Sequence, residues 1–368
     1  MKIGIDASRF NLSGGTGVEH YSVKIIQGII DQFKHQDEHS FILYSPRKLT
    51  LYKTKTIKHK IIPFPRLWTT VRLSWEMLFH KPDVLFVPSH VLPYFAPKKS
   101  VITIHDVAFM HLKKEYSRFQ FWYLKKTTKH AVKKASNIIV PSYATQLDLI
   151  NLFQCPSHKI TVIPHGCDFQ IKKLSTEKDS EILTKMGLSK KDHFLLFIGR
   201  LEDKKNIQRI IEAFLGFNET FPSWKLILAG KRGHGFKEIL KKAMKADAFK
   251  SVLMPGYITE NEKHVLLKYC DAFVFPSLYE GFGFPILEAY TYHKPVITSE
   301  EASIPEVAGN GAIYVNAHNT SSIKEGFEQL IKNPALKEAT IAMQNTVLSK
   351  FKWDKAIKKT IEVLLNDK

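Results

Sequence analysis

Eleven short β-forming runs, most of them apolar at every position rather than at every second one, punctuate this chain. Six lie in the first half: KIGIDAS (2–8), FILYS (41–45), VLFVPS (84–89), VITIHD (101–106), NIIVPS (137–142) and ITVIPHG (160–166). Five follow in the second: FLLFIGR (194–200), KLILAG (225–230), SVLMPG (251–256), AFVFPS (272–277) and PVITS (295–299). A strand that is apolar on both sides belongs in a parallel sheet with helices over each face. Helical patterns fill the intervals, among them 17–33, 113–135, 207–217 and 261–269. This alternation predicts an α/β fold with doubly wound sheets.

One interval breaks the rhythm. Residues 170–192, QIKKLSTEKDSEILTKMGLSKKD, are polar and contain no strand pattern. They read as the linker into a second domain, and 368 residues exceed one ordinary domain. The expected division is 1–170 and 171–351, two Rossmann-like halves facing each other across a cleft. Ligands of such sheets bind beyond the carboxyl ends of the strands. The tail 352–368 reads as a helix with Trp353, Ile357, Ile361 and Leu364 near one face.

Composition narrows the class. With 44% hydrophobic and 24% charged residues the chain is globular rather than disordered. No apolar run approaches the roughly 18–20 residues of a membrane span. The opening MKIGIDASRF carries an acid and no apolar core, so no secretory signal is expected. Three cysteines without a CxxC fit a reducing cytoplasm and argue against a disulfide framework or a zinc site. Net charge is +19, and residues 1–170 hold 24 Lys and Arg against 11 Asp and Glu. That excess is either a solvated basic face or an attraction to anionic lipid, an anionic acceptor or nucleic acid.

Four motifs sit at strand exits. Asp6 is followed by SGGTGVEHY (13–21), where Gly14, Gly15 and Gly17 lead from a strand into a helix. Glycines permit close backbone approach, and a helix N-terminus offers N–H groups to an anion; a tight turn without a ligand has the same appearance. In FIGRLEDKKN (197–206), Arg200, Lys204 and Lys205 converge on a strand end, which suits a pyrophosphate or a plain basic loop. In PSLYEGFGFPILEAY (276–290), Glu280 precedes a Gly-rich loop, Pro285 suits the first turn of a helix, and Glu288 follows inside it. Two carboxylates eight residues apart around loop amides suit a polyhydroxylated ligand. In TIHDVAF (103–109), His105 and Asp106 follow a buried strand.

The segments GRLEDKKN, PSLYEGFGFPILEA and SIPEVAG together resemble the family 4 group of retaining glycosyltransferases, which have the GT-B fold. The resemblance runs through most of the chain and is densest from Phe197 to Val315. It implies that Arg200 and Lys205 bind the diphosphate of a nucleotide-sugar donor. It implies that Glu280 contacts the donor sugar, Glu288 the ribose hydroxyls, and the amides of Gly281, Phe282 and Gly283 the sugar and phosphates. His105 should lie beside the donor sugar with Asp106 as a neighbour. The loop at Gly14, Gly15 and Gly17 should approach the diphosphate and acceptor. The final helix should return to the first domain. Such enzymes need no cofactor and no divalent metal, and this chain has no DxD where a donor metal would be expected. His293-Lys294 and His165 depart from common family residues.

The expected activity is transfer of a hexose, mannose by the lean of the first half, to a glycan acceptor in surface-polysaccharide assembly. Catalytic roles fall to Glu280, His105, Arg200 and Lys205. Helical stretches 66–81 and 113–134 mix aromatic and basic residues, which suits either packing on the sheet or docking to the inner face of an anionic membrane. A lipid-linked acceptor and a cytoplasmic, peripheral location follow. Two other readings remain: a nucleotide-sugar epimerase on the same fold, and a basic nucleic-acid-binding protein, for which no reading motif is evident.

Overall fold

The structure, a computed structural model, describes residues 1–12, 15–35, 38–51, 55–244 and 251–366. The chain forms two compact units, Met1–Gly166 with Phe351–Lys368, and Cys167–Lys350.

The first unit holds a parallel sheet, seven-stranded among the described residues. Its strands are β1 (Lys2–Asp6), β2 (Ser40–Ser45), β3 (Ile57–Ile61), β4 (Val84–Val87), β5 (Ser100–Thr103), β6 (Asn137–Val140) and β7 (Ile160–Val162), in the order β3-β2-β1-β4-β5-β6-β7. The central strands are buried throughout, as continuous apolar runs require. β3 was not among the expected runs. It begins inside the basic run 47–60, which holds six Lys and Arg and no acid and of which 52–54 fall outside the described residues. Its IKHKI sequence suits a sheet edge, where lysines discourage further pairing.

The helix Gly17–Phe33 buries Ile25, Ile26, Ile29 and Ile30. The C-terminal helix Trp353–Leu365 packs on it within the same unit, the return expected of the tail. Gly28 permits the contact: a Cβ there would stand 2.1 Å from Cδ1 of Ile357. The stretch expected as one helix over 66–81 is a π-helical segment, Trp68–Leu73, continued by the α-helix Ser74–Phe79. Ser117 caps the helix Arg118–Lys134 through a reciprocal bond with Gln120, so it begins later than periodicity suggested.

The second unit holds a parallel sheet, six-stranded among the described residues: β8 (His193–Ile198), β9 (Trp224–Ala229), β10 (Val252–Gly256), β11 (Ala272–Phe275), β12 (Val296–Ser299) and β13 (Ile313–Val315), in the order β10-β9-β8-β11-β12-β13. β13 was also missed, being three residues long. The polar interval 170–192 contains a helix, Thr176–Lys185, capped by Ser175 and tied to the unit where Asp179 accepts a 2.6 Å hydrogen bond from Lys268. In this order the strand sequence reverses between β8 and β11, the place where doubly wound sheets open a crevice for ligands.

Candidate active site

The exits of β8 and β11 are stitched together. After Arg200 the chain makes a short turn, Asp203–Lys205, and Asn206 takes a left-handed conformation (φ 61°) before the helix Ile207–Asn218. The buried Asn206 amide donates to the carbonyls of Pro276 (3.1 Å) and Ala317 (2.7 Å). The backbone N–H of Leu278 donates to the Lys204 carbonyl at 2.9 Å. This brings Lys205 Nζ 2.5 Å from Glu280 Oε1, with side chains 14% and 9% exposed. The ammonium also lies 5.1 Å from the centre of the Phe275 ring.

The loop carrying Glu280 is held from β12 and beyond. Ser299 Oγ donates to the Ser277 carbonyl (2.7 Å), and Ser303 Oγ to the carbonyls of Glu280 (2.8 Å) and Phe282 (3.1 Å). Gly283 has φ 112° and caps the helix Phe284–Thr291, with Pro285 in its first turn. With the carbonyls of Glu280 and Phe282 turned to Ser303, the backbone from Glu280 to Phe282 is fixed, and Gly283 follows at the start of the helix. Ser303 belongs to the SIPEVAG segment, but nothing local marks it as the clamp of a loop some twenty residues earlier.

Glu288, on that helix, has its own lysine. Lys263 Nζ is 2.5 Å from Glu288 Oε1 and 2.9 Å from Glu260 Oε2. Burial pushes the Glu288 carboxyl above its ordinary range, and Lys263 only partly offsets that. Burial also works against the charged form of Lys263, but Glu288 and Glu260 outweigh it and raise its pKa. Both carboxylates of the eight-residue pair are thus lysine-bound, Glu280 by Lys205 and Glu288 by Lys263. Lys263 was given no role from sequence; its helix was expected, its partner was not.

Arg200 is 55% exposed, its Nε 3.8 Å from Glu202 Oε2, and is free to reach a ligand. A second basic loop lies against it. Leu201 donates to the carbonyl of Lys231 (2.9 Å) and accepts from Gly233 (2.9 Å), which lays GKRGHG (230–235) along the β8 exit. Gly230 has φ 147°, and a Cβ there would stand 1.7 Å from the Gly199 carbonyl oxygen. Lys231 and Arg232 therefore join Arg200 and Lys205 near one strand end. Sequence reading stopped this strand at Gly230, although two cations between glycines at a strand exit were the available signal.

In the first unit, His105 follows β5 and is buried. Its Nε2 donates to the Pro88 carbonyl at 3.1 Å, which leaves Nδ1 as an acceptor. Burial, with His90 adding to it and Pro88 opposing, lowers its pKa to about 4, so the ring is neutral at pH 7. Tyr21 packs edge-on against it at 4.9 Å and lies 4.5 Å from the ring of His165, which stacks on Trp353 at 6.3 Å. The departure noted at His165 is thus a packing residue beside the C-terminal helix. Asp106 Oδ1 accepts from the backbone of Ala108 (3.0 Å), a local capping role.

Of the glycine loop, Gly14 lies outside the described residues. Gly17 opens the helix, and Thr16 caps it in a reciprocal box with Glu19. A Cβ on Gly15 would stand 1.6 Å from Glu19 Oε2. The box uses the amides of Thr16 and Glu19, so an anion here would meet fewer free donors than the motif promised, together with the Glu19 carboxylate. Among the described residues no group of three or more His, Cys, Asp or Glu is placed to hold a metal ion. No helix among them is long and apolar enough to cross a membrane.

Two family models match the chain. "Glycosyl transferases group 1" covers residues 178–346, and "Glycosyltransferase Family 4" covers 32–170. The O-antigen chain mannosyltransferase B of Escherichia coli is 25% identical over 94% of this chain and 95% of its own length. The O-antigen chain mannosyltransferase RfbU of Salmonella typhimurium is 24% identical over 95% of this chain and 96% of its own. Among solved structures, WaaG, a glycosyltransferase involved in lipopolysaccharide biosynthesis, superposes with a TM-score of 0.76 at 13% identity, covering 99% of this chain and 100% of that one. Anabaena HepE in complex with UDP and glucose superposes with a TM-score of 0.74 at 18% identity, covering 99% of each chain. At those identities the two structures establish the shared fold.

Proposed function

The chain belongs to the group 1, family 4 glycosyltransferases, and on that premise we propose that it transfers a mannosyl residue, with retention and without a metal ion, from a nucleotide-diphosphate sugar to a glycan acceptor. The mannosyl assignment rests on the two O-antigen mannosyltransferases that resemble it along nearly their whole length. The observation that carries the chemistry is the Lys205–Glu280 pair, held at the junction of β8 and β11 by Asn206.

The reaction breaks the bond between the sugar and the diphosphate, so negative charge grows on the departing phosphate. Arg200 and Lys205 stabilise that charge, an electrostatic task for which fixed cations in a partly dry site are suited. Lys205 is then shared between phosphate and Glu280. Glu280 accepts hydrogen bonds from the sugar and stabilises positive character on the ring. Retaining hydrolases use a carboxylate nucleophile about 5 Å from the acid. Here Glu280 is engaged by Lys205, which supports a binding role and attack by the acceptor on the face the phosphate leaves. The phosphate takes up the acceptor's proton. Glu288 receives the ribose hydroxyls, and the amides of Gly281–Gly283 border the phosphates. From the first unit, neutral His105 offers Nδ1 as an acceptor to a substrate hydroxyl.

A lipid-linked acceptor at an anionic membrane is supported by side chains exposed on the first unit. Leu67, Val71, Trp75 and Leu78 lie on the segment 67–79. The 2.8 Å hydroxyl contact between Thr70 and Tyr123 joins that segment to the helix bearing exposed Phe119 and Trp122. Lys126 lies 4.8 Å over the Trp122 ring. Aromatic and basic groups together suit the headgroup region. Binding to anionic vesicles at low salt tests it; a protein that stays in solution has no such surface.

The donor assignment is tested by thermal unfolding in EDTA with UDP, GDP, ADP, CDP and their sugar conjugates. A ligand at ~100 times its Kd stabilises by about 2.7 kcal/mol. A shift with one nucleotide, lost in Lys205→Ala, is expected; no shift with any of them sinks the reading. The anomeric configuration of the product, read by NMR, decides retention.

A further inference from the structure

The second unit contains a basic cavity that the donor-binding reading leaves unused. Its volume is about 480 Å³, and Lys172, Lys173, His264, Lys268, Tyr292 and Lys294 line it. Lys268 is paired with Asp179 at 2.6 Å, and that carboxylate oxygen also accepts from Tyr269 at 3.0 Å. Lys172 donates to the neutral amide oxygen of Asn261 at 3.1 Å. Lys173 and Lys294 have no carboxylate partner among the described residues. Four ammonium groups therefore answer to one carboxylate, and most of the positive charge is unbalanced.

His264 packs in the wall of the cavity beside Tyr292. His264 is 2% exposed, and its Nδ1 lies 2.9 Å from the Tyr292 hydroxyl. A phenol that donates its proton to Nδ1 leaves the other ring nitrogen carrying the N–H. That nitrogen, Nε2, is buried and has no hydrogen-bond partner. Burial holds the imidazole below its usual pKa, with Asp179 opposing and Lys268 and Lys172 adding to the effect, so the ring is neutral. Oδ1 of Asp179 is likewise buried without a hydrogen-bond partner and acts electrostatically on the same ring. Lysines gathered on one cavity with so little opposing charge match a dianionic ligand.

We propose that this cavity binds a dianionic phosphate group, as inorganic phosphate or a phosphate monoester, at a site separate from the Lys205–Glu280 centre. Lysines act on phosphate as point charges, each with three donors to turn onto its oxygens. The charge surplus favours a dianion over the single charge of a lipid phosphodiester.

Calorimetric titration of the whole protein with inorganic phosphate and with glycerol 3-phosphate, against chloride at equal ionic strength, tests this. Wild-type protein binds both. The surface double variant Lys173→Ala/Lys294→Ala, whose folding is checked by circular dichroism, weakens binding by about tenfold or more, as the loss of two charge-assisted contacts requires. Lys205→Ala leaves it unchanged. Dimethyl phosphate, which carries the charge of a lipid phosphodiester, binds at least about tenfold more weakly. Binding no stronger than chloride overturns the proposal, as does equal affinity for dimethyl phosphate. So does a loss in Lys205→Ala with the double variant intact, which assigns the phosphate to the strand-exit centre. The nucleotide titrations above report on the donor reading independently.

Discussion

Lys205 Nζ and Glu280 Oε1 stand 2.5 Å apart with little of either side chain in water. Removing one partner strands the other. Lys205→Met is therefore expected to cost about 3 kcal/mol of stability, as breaking a buried pair does. Glu280→Gln keeps an acceptor beside Lys205 and should cost far less, yet lower kcat. Urea denaturation alongside initial rates separates the two; equal stability loss in both variants would refute a charge-pair role.

The Lys263–Glu288 pair predicts a pH effect. Because the Glu288 pKa is raised on folding, the folded state holds that proton more tightly. This group's contribution to stability is present at low pH, below the unfolded value of 4.5, and is lost as pH rises through the folded value. Lys263→Met removes the opposing charge and pushes the carboxyl higher. Its stability should fall more steeply than wild type between pH 5 and 7, by about 1 kcal/mol or more. Adding Glu288→Gln should flatten the slope. The groups facing this carboxyl are Lys263, Glu260, Cys167 and Tyr292. Urea midpoints across that range in the three proteins read the difference directly.

Why some of this was legible in the sequence and some was not follows from range. β4, β8 and β11 declare themselves because both faces of each are buried, and the chain writes apolar residues at nearly every position. Glu280 and Glu288 are visible because loop and helix are contiguous. Lys263 and Ser303 are invisible because the groups they hold, the Glu288 carboxylate and the carbonyls of Glu280 and Phe282, are distant in sequence and no local pattern records that, whereas Lys231 and Arg232 leave a signal between glycines at a strand exit. β3 was hidden by its lysines, which an edge strand tolerates and a central one does not. The helix Thr176–Lys185 was hidden by its polar face, since only Asp179, Ile182 and Leu183 are buried.

His105 carries a second pH prediction, of opposite sign. Its pKa falls from 6.5 to about 4 on folding, so between those values the unfolded chain binds the proton more strongly. Stability should decline as pH drops through that window, by up to about 3 kcal/mol for this residue. His105→Gln should remove much of the decline while Asp106, which caps Ala108 and also acts electrostatically on His105, is left in place. His165 and His90, also lowered by burial, contribute to the wild-type slope and remain in the variant. An unchanged slope in His105→Gln would mean that the imidazole is protonated in the folded protein.

The return of the C-terminal helix hinges on a missing side chain. At Gly28 a Cβ would meet Ile357 Cδ1 at 2.1 Å and Cγ1 at 2.6 Å, far inside contact distance. Gly28→Ala forces the helix Trp353–Leu365 away from the helix Gly17–Phe33 or bends Ile357 out of its rotamer. Overpacking of this kind costs roughly 1–3 kcal/mol. The ordinary gain of Ala over Gly inside a helix, about 1 kcal/mol, works in the other direction. Ile357→Ala alone opens a cavity and destabilises as well. In the double variant the new methyl occupies the space the isoleucine vacated. Its loss should be smaller than the sum of the two single losses by about 1 kcal/mol, a coupling a double-mutant cycle resolves. Additive losses would show that the two helices do not meet at this glycine.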